Sequence, residues 1–297
     1  MPVTGPVLLH SVSYAGLWGQ EALDLDAFAD KAADLGYQGV MLMAKRPHLS
    51  VLDYDDAACA RLRRKLESRG LGSTCIAGYT NFTADLDHGE VPHREIQIEY
   101  VTALARLAHS VGSGLIRIYT GYEHPAAAYG AQWKMVIEAL RECARRAAPL
   151  GVTIGVQNHH DIAAGYEQMY DLIRAVGEPN CQAMFDAWST FLHGADLAAA
   201  ARKLAPVTVH TTIADYQLRL RYRYQPDVVN YNPVTPLVQA VPMGEGAIDY
   251  SGFLNALSAG GFTGSIAYEM CSPLLGGGGM ENLDRYARRF LEWIALV

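Results

Sequence analysis

The chain lacks several features that would each place it in a well-defined class. It has no run of about 18 apolar residues, the length a membrane-spanning helix requires. Cysteine is scarce: Cys59, Cys75, Cys143, Cys181 and Cys271 are scattered, odd in number and without CxxC spacing. That pattern argues against a disulfide frame or zinc knuckle and for reduced thiols. Basic charge is short, with 24 Lys and Arg against 31 Asp and Glu and a net charge of -7. A nucleic-acid partner is therefore not expected, because phosphate binding needs a basic surface. The start, MPVTGPVLLHSV, has neither the basic beginning nor the long apolar core of a signal peptide. Together with the reduced thiols, this makes a cytoplasmic location the expectation. No GxGxxG follows the first apolar run, which weighs against a doubly wound dinucleotide-binding sheet.

What is present is a rhythm. Short apolar runs alternate with amphipathic helical stretches across all 297 residues. Strands are predicted at 7–12, 39–43, 73–77, 114–119, within GVTIGVQNHHD, and at 181–186, 206–212 and 264–269. Helices are predicted at 23–35, 54–69, 94–111, 133–150, 166–176, 196–204, 250–259 and 282–296. Eight strand–helix units in strict alternation imply a parallel sheet with helices outside, and eight is the count at which such a sheet closes. The predicted fold is a single (β/α)8 TIM barrel over residues 1–297. One long polar and aromatic loop, at about 213–246, follows the seventh strand.

In a barrel, the carboxyl ends of the strands converge on one mouth, where barrel enzymes hold their chemistry. The last four strands end on Gln157, Asp186, His210 and Glu269. Each alone is a weak sign. Together, three oxygen donors and one imidazole suit a divalent ion, with Mn²⁺ expected first and Mg²⁺, Co²⁺ or Zn²⁺ as alternatives. His210 and Thr212 lie on the same side of their strand, and His210 is its only imidazole.

With these strand ends and the segment PMGEGAIDYSGFLNAL, the chain resembles the xylose-isomerase-like barrel superfamily. That superfamily includes sugar phosphate isomerases, ketose 3-epimerases, inosose dehydratases and apurinic endonucleases. The resemblance implies metal ligation by Glu, Asp, His and Glu at strands five to eight. These roles carry onto Gln157 in VQNHH, Asp186 in MFDAW, His210 in TVHTT and Glu269 in AYEMC. Gln157 departs from the pattern: an amide oxygen can ligate but brings no charge and accepts no proton. Glu269 is then the only carboxylate left of the pair that epimerases place on opposite faces of the substrate.

The implied activity is a metal-dependent isomerase or epimerase acting on a keto sugar or sugar-derived acid through an enediolate. Glu269 would be its base and His159 a second acid/base, in strand phase with Gln157. His159 and the adjacent His160 are expected to point apart, so that at most one faces the mouth. A lyase of the same fold, needing one acid/base, is the alternative. It would be a dehydratase, a keto-acid decarboxylase or a C-glycoside deglycosidase on a 3-oxo sugar. A non-catalytic barrel subunit is a third reading, motivated by the charge missing at Gln157. Arg117, His160, Trp188, Arg219 and Arg221 are candidate carbohydrate contacts. The alternating Arg and Tyr around Arg219 and Arg221 suit a subunit contact equally well, in a homo-oligomer or with a partner subunit.

Overall fold

Side-chain alternation along short buried strands decides the architecture. In Gly39–Met43, Val40 and Leu42 join the layer between sheet and helices, whereas Met41 and Met43 lie on the opposite side. In Ser265–Tyr268, Ile266 and Tyr268 face outward and Ala267 inward. Strands buried on both faces read as largely apolar runs, as in other parallel sheets, with polar groups such as Arg117, Gln157 and His210 as the exceptions. The computed structural model describes residues 5–297; the first four residues of the amino-terminal segment discussed above lie outside them.

The barrel strands are β1 (Val7–His10), β2 (Gly39–Met43), β3 (Ser73–Ala77), β4 (Leu115–Ile118), β5 (Thr153–Gln157), β6 (Cys181–Met184) and β7 (Thr208–Ile213). A hairpin, β8 (Tyr216–Gln225) with β9 (Asn230–Ala240), precedes the last barrel strand, β10 (Ser265–Tyr268). Strand order around the closed parallel barrel is β1-β10-β7-β6-β5-β4-β3-β2. The helices are α1 (Leu25–Leu35), α2 (Asp56–Ser68), α3 (His93–Val111), α4 (Tyr129–Ala147), α5 (Tyr166–Val176), α6 (Ala187–Leu192), α7 (Leu197–Leu204), α8 (Tyr250–Ala259) and α9 (Met280–Ile294). The predicted (β/α)8 barrel is the fold.

Local chemistry sets the boundaries. Asp24, Asp55, Asp196 and Asp249 cap α1, α2, α7 and α8 by accepting first-turn N–H groups. Gly36, Gly112 and Gly177 end α1, α3 and α5 in the left-handed conformation. Strand β1 stops at His10 rather than Val12 because the His10 ring accepts the Val12 N–H and turns the chain into Ser11–Tyr14. Gly264, just before β10, must lack a side chain: a Cβ there would sit 2.1 Å from the Val209 carbonyl oxygen.

Two segments differ from expectation. Residues 187–192, expected as loop, form α6. Its first turn is gripped by Asn158, whose amide bonds the Asp186 carbonyl and the Ser189 hydroxyl at 3.0 and 2.6 Å. The long segment after β7 is not loop but the antiparallel hairpin β8–β9. At its base, Asp215 accepts the N–H groups of Gly244 and Gly246, both at 2.9 Å. All five cysteines are free thiols, four of them buried. Among the described residues no helix is long and apolar enough to cross a membrane.

Candidate active site

A cavity of about 320 Å³ opens at the carboxyl ends of the barrel strands. It is lined by Arg117, Tyr119, Gln157, His159, His160, Asp186, Trp188 and Glu269, all singled out from the sequence or close to residues that were. Thr212 lines it too, and His210 does not.

Barrel register explains that exchange. His210 pairs with Met184 and Ser265, whereas Thr212 pairs with Ala267, one pleat nearer the mouth. The His210 ring is fully buried, its Nδ1 2.6 Å from the Ser265 hydroxyl, and its Nε2 has no partner among the described residues. Burial first, then Arg117, pushes it down to about 3, so it is a neutral core imidazole. His210 therefore does not join Gln157, Asp186 and Glu269. Thr212 occupies the level at which the fourth group was expected.

Asp186 is already saturated with donors. One carboxylate oxygen accepts the Thr212 N–H at 2.7 Å and the Thr211 hydroxyl at 3.4 Å. The other accepts the Thr212 hydroxyl at 2.5 Å and the Gln157 amide N–H. Burial raises its pKa, and these donors from Thr212 and Gln157 oppose the rise.

A divalent ion needs converging lone pairs. Here Gln157 presents its NH₂ to Asp186 and keeps a single neutral oxygen free, Thr212 presents two donors, and His210 lies a layer below. The residues present do not fit the expected metal, and among the described residues no group of three or more His, Cys, Asp and Glu could hold one. The protein is therefore expected to show no thermal shift in millimolar Mn²⁺ or Zn²⁺ and to retain no ion after dialysis. One tightly bound ion per chain, lost in Asp186→Asn, would overturn this.

Glu269 differs from Asp186. It follows β10, its backbone N–H bonds the Ile213 carbonyl at 3.0 Å, and its side chain is 18% exposed to the cavity. The nearest basic side-chain nitrogen is His10 Nε2 at 3.9 Å, but burial and Arg117 hold His10 neutral. Burial first, then Asp186, pushes the Glu269 carboxyl up to about 7, with Arg117 opposing.

Arg117 projects from β4 and is buried. It donates to the Gly78 carbonyl at 3.2 Å, and its guanidinium carbon lies 4.3 Å from the Tyr119 ring centre and 4.9 Å from that of Tyr79. Burial works against its charge, but the facing tyrosines and Glu269 outweigh this and keep it cationic. Its Nε has no partner among the described residues. Lys45 lies 4.3 Å from the Tyr79 ring centre on the same wall.

Both His159 and His160 line the cavity, contrary to the expectation that they would point apart. Strand β5 ends at Gln157, and the His159 N–H turns back to the Gln157 carbonyl at 2.9 Å, so strand phase no longer applies. Their Nδ1 atoms are 3.0 Å apart, and His160 packs 4.2 Å from the ring centres of Tyr119 and Tyr122. Desolvation lowers both pKa values and keeps the rings neutral. Trp188, on α6, packs 4.2 Å from the Tyr216 ring at the hairpin base. Arg219 and Arg221, expected as carbohydrate contacts, stand on the exposed hairpin and do not line the cavity. Cys271, two residues after Glu269 in AYEMC, lines it too, as does Trp18, whose sequence neighbourhood carried no signal.

Solved structures of the same fold cover almost the whole chain. D-Psicose 3-epimerase with D-tagatose from Clostridium cellulolyticum H10 aligns over 98% of this chain and 99% of its own, at 16% identity and TM-score 0.76. The IOLI protein with a binding zinc atom aligns over 97% of each chain, at 16% identity and TM-score 0.74. AsbF from Bacillus anthracis, described as the probable 3-DHS dehydratase of petrobactin synthesis, aligns over 97% and 98%, at 16% identity and TM-score 0.71. None of the curated proteins compared with the chain matches it. A family model described as xylose isomerase-like TIM barrel matches residues 29–295, and the chain belongs to that family.

Proposed function

We propose that the chain is an acid–base enzyme that moves a proton next to the carbonyl of a small keto sugar or sugar-derived acid, as an isomerase or epimerase. The observation that carries this reading is Glu269. It is the partly exposed carboxylate of the cavity, pushed up to about 7 by burial, and it faces the buried cation Arg117 from the far side of the barrel mouth. A base for carbon acids works best when its pKa lies near the operating pH. The volume suits a monosaccharide-sized ligand. The epimerases among the structural relatives add support at the level of the fold.

In this reading Glu269 takes the proton from the carbon beside the carbonyl. The oxygen that becomes anionic is stabilised by the fixed N–H donors of Arg117, a group that needs no reorganisation during the reaction. In an isomerase Glu269 returns the proton to the former carbonyl carbon, while neutral His159 or His160 carries the adjacent hydroxyl proton to the other oxygen. In an epimerase the same carbon is reprotonated on its opposite face from His159 or His160, and Glu269 later passes its proton back through solvent.

A second reading is favoured by one feature. With Gln157 donating to Asp186, the cavity has one open carboxylate rather than an opposed pair. One acid/base is enough for a lyase: Glu269 removes the proton and gives it to the departing hydroxyl, which leaves as water. Incubation with a panel of ketoses and 3-oxo sugars in D₂O, with EDTA present, separates the two. Deuterium beside the carbonyl with an intact skeleton is expected. Loss of water or CO₂ selects the lyase, and no exchange with any member of the panel removes both.

A further inference from the structure

Exposed large apolar side chains are not spread evenly over this molecule. Among the described residues, all but Ile96, Tyr129 and Leu296 lie on the β8–β9 hairpin or on segments leaving the carboxyl ends of barrel strands. On the hairpin they include Leu220, Tyr222, Val229 and Tyr231, between 59% and 77% exposed. Such a cluster on one end of a protein marks an interaction surface.

The hairpin is anchored only at its base. Tyr216 and Ala240 are buried, and the Gln217 amide bonds the Glu245 carbonyl at 2.8 Å. From Leu218 to Gln239, the hydrogen bonds among described residues run within the hairpin itself. At the usual rise per residue it projects roughly 25 Å. Its two faces differ in chemistry. Leu218, Tyr222 and Tyr224 oppose Val238, Pro233 and Tyr231 on one face, and the Tyr224 and Tyr231 rings are 5.2 Å apart. Arg219, Arg221 and Arg223 stand on the other. A two-stranded ribbon with nothing packed on it is marginal in water, so this one calls for a partner surface.

Charge indicates which partner. The hairpin carries three arginines and one acid, Asp227, within a chain of net charge -7. On the other segments that leave the strand ends, the only Lys or Arg residues are Lys45 and Arg46. Acids dominate there, among them Glu21, Asp87, Glu123, Asp161 and Glu245. Each molecule thus bears a cationic, Tyr-rich arm and an acidic rim dotted with apolar groups such as Leu17, Trp18 and Leu52. Arm and rim on every copy make the surface self-complementary, the condition for a two-fold dimer. Tyr and Arg are also the residues enriched at interface centres.

We propose that the β8–β9 hairpin is a dimerisation arm that lies on the acidic mouth loops of a second copy of this chain. Sedimentation velocity on the full chain at micromolar concentration, in low and high salt, tests it. A dimer weakened by salt is expected. The apolar variant Leu220→Ser/Tyr222→Ser/Tyr224→Ser and the charge variant Arg219→Glu/Arg221→Glu/Arg223→Glu should each weaken it roughly tenfold or more. The circular dichroism of the barrel should be unchanged, because the altered side chains are exposed within each copy. A wild-type chain that stays monomeric throughout overturns the proposal, whatever other protein it binds. So does a dimer that both variants leave intact.

Discussion

Glu269→Gln is expected to lower turnover by about three orders of magnitude, the middle of the range for losing a general base. Carbonyl-adjacent deuterium exchange should fall in step with product formation, because both need the same proton abstraction. The wild-type rate should rise with pH through about 7, where the carboxyl loses its proton. A Glu269→Gln enzyme with substantial exchange would remove Glu269 from the mechanism.

The same substitution should stabilise the fold in alkali. Glu269 has an ordinary value of 4.5 and is pushed up to about 7 in the folded chain, chiefly by burial. Between those values the folded protein holds a proton that the unfolded chain releases. Its contribution is therefore fully present below the ordinary value and is lost as pH rises through about 7. Glutamine cannot ionise and escapes that loss. Thermal unfolding at about pH 5 should hardly separate the two proteins, whereas at about pH 9 the variant should be more stable by about 2–3 kcal/mol. Equal stability at both pH values would mean that the carboxyl is not desolvated as described.

Arg117→Met should be the next most damaging change. It removes the buried cation that faces Glu269 while keeping a side chain of similar length. Loss of a preorganised donor to a developing oxyanion costs about 10²- to 10³-fold in kcat. Arg117 also opposes the rise of the Glu269 carboxyl, so its loss should move the acid limb of the rate profile to higher pH. Arg117→Lys keeps the charge and should move that limb less. A fall in rate with no change in the limb would assign Arg117 to packing against Tyr79 and Tyr119 rather than to the reaction.

The barrel and much of its mouth were legible in the chain itself. Apolar runs bounded by Gly36, Gly112 and Gly177, with Asp24, Asp55, Asp196 and Asp249 starting helices, define the alternation that forces eight parallel strands to close. Glu269 and Asp186 were legible for the same reason: an acid at the end of a buried strand faces the mouth. The hairpin was legible in principle, since YQLRLRYRY alternates with period two, but its many polar residues read as loop.

Depth and direction were not legible. His210 and Thr212 share one face of β7, and strand phase cannot tell a residue at the mouth from one a pleat below it. Only pairing with Ser265 and Ala267 on β10 sets that level. Nor does residue type say which way an amide points. Gln157 can present oxygen to an ion or N–H groups to an acid; beside Asp186 it donates an N–H, and its buried Oε1 is left without a partner among the described residues. Sequence by itself determined that four polar groups end neighbouring strands of a barrel. Tertiary structure decided that three of them meet, that Thr212 takes the fourth place, and that Glu269 is the partly exposed acid among them. Strand pairing across the barrel, between residues far apart in the chain, is the physical reason.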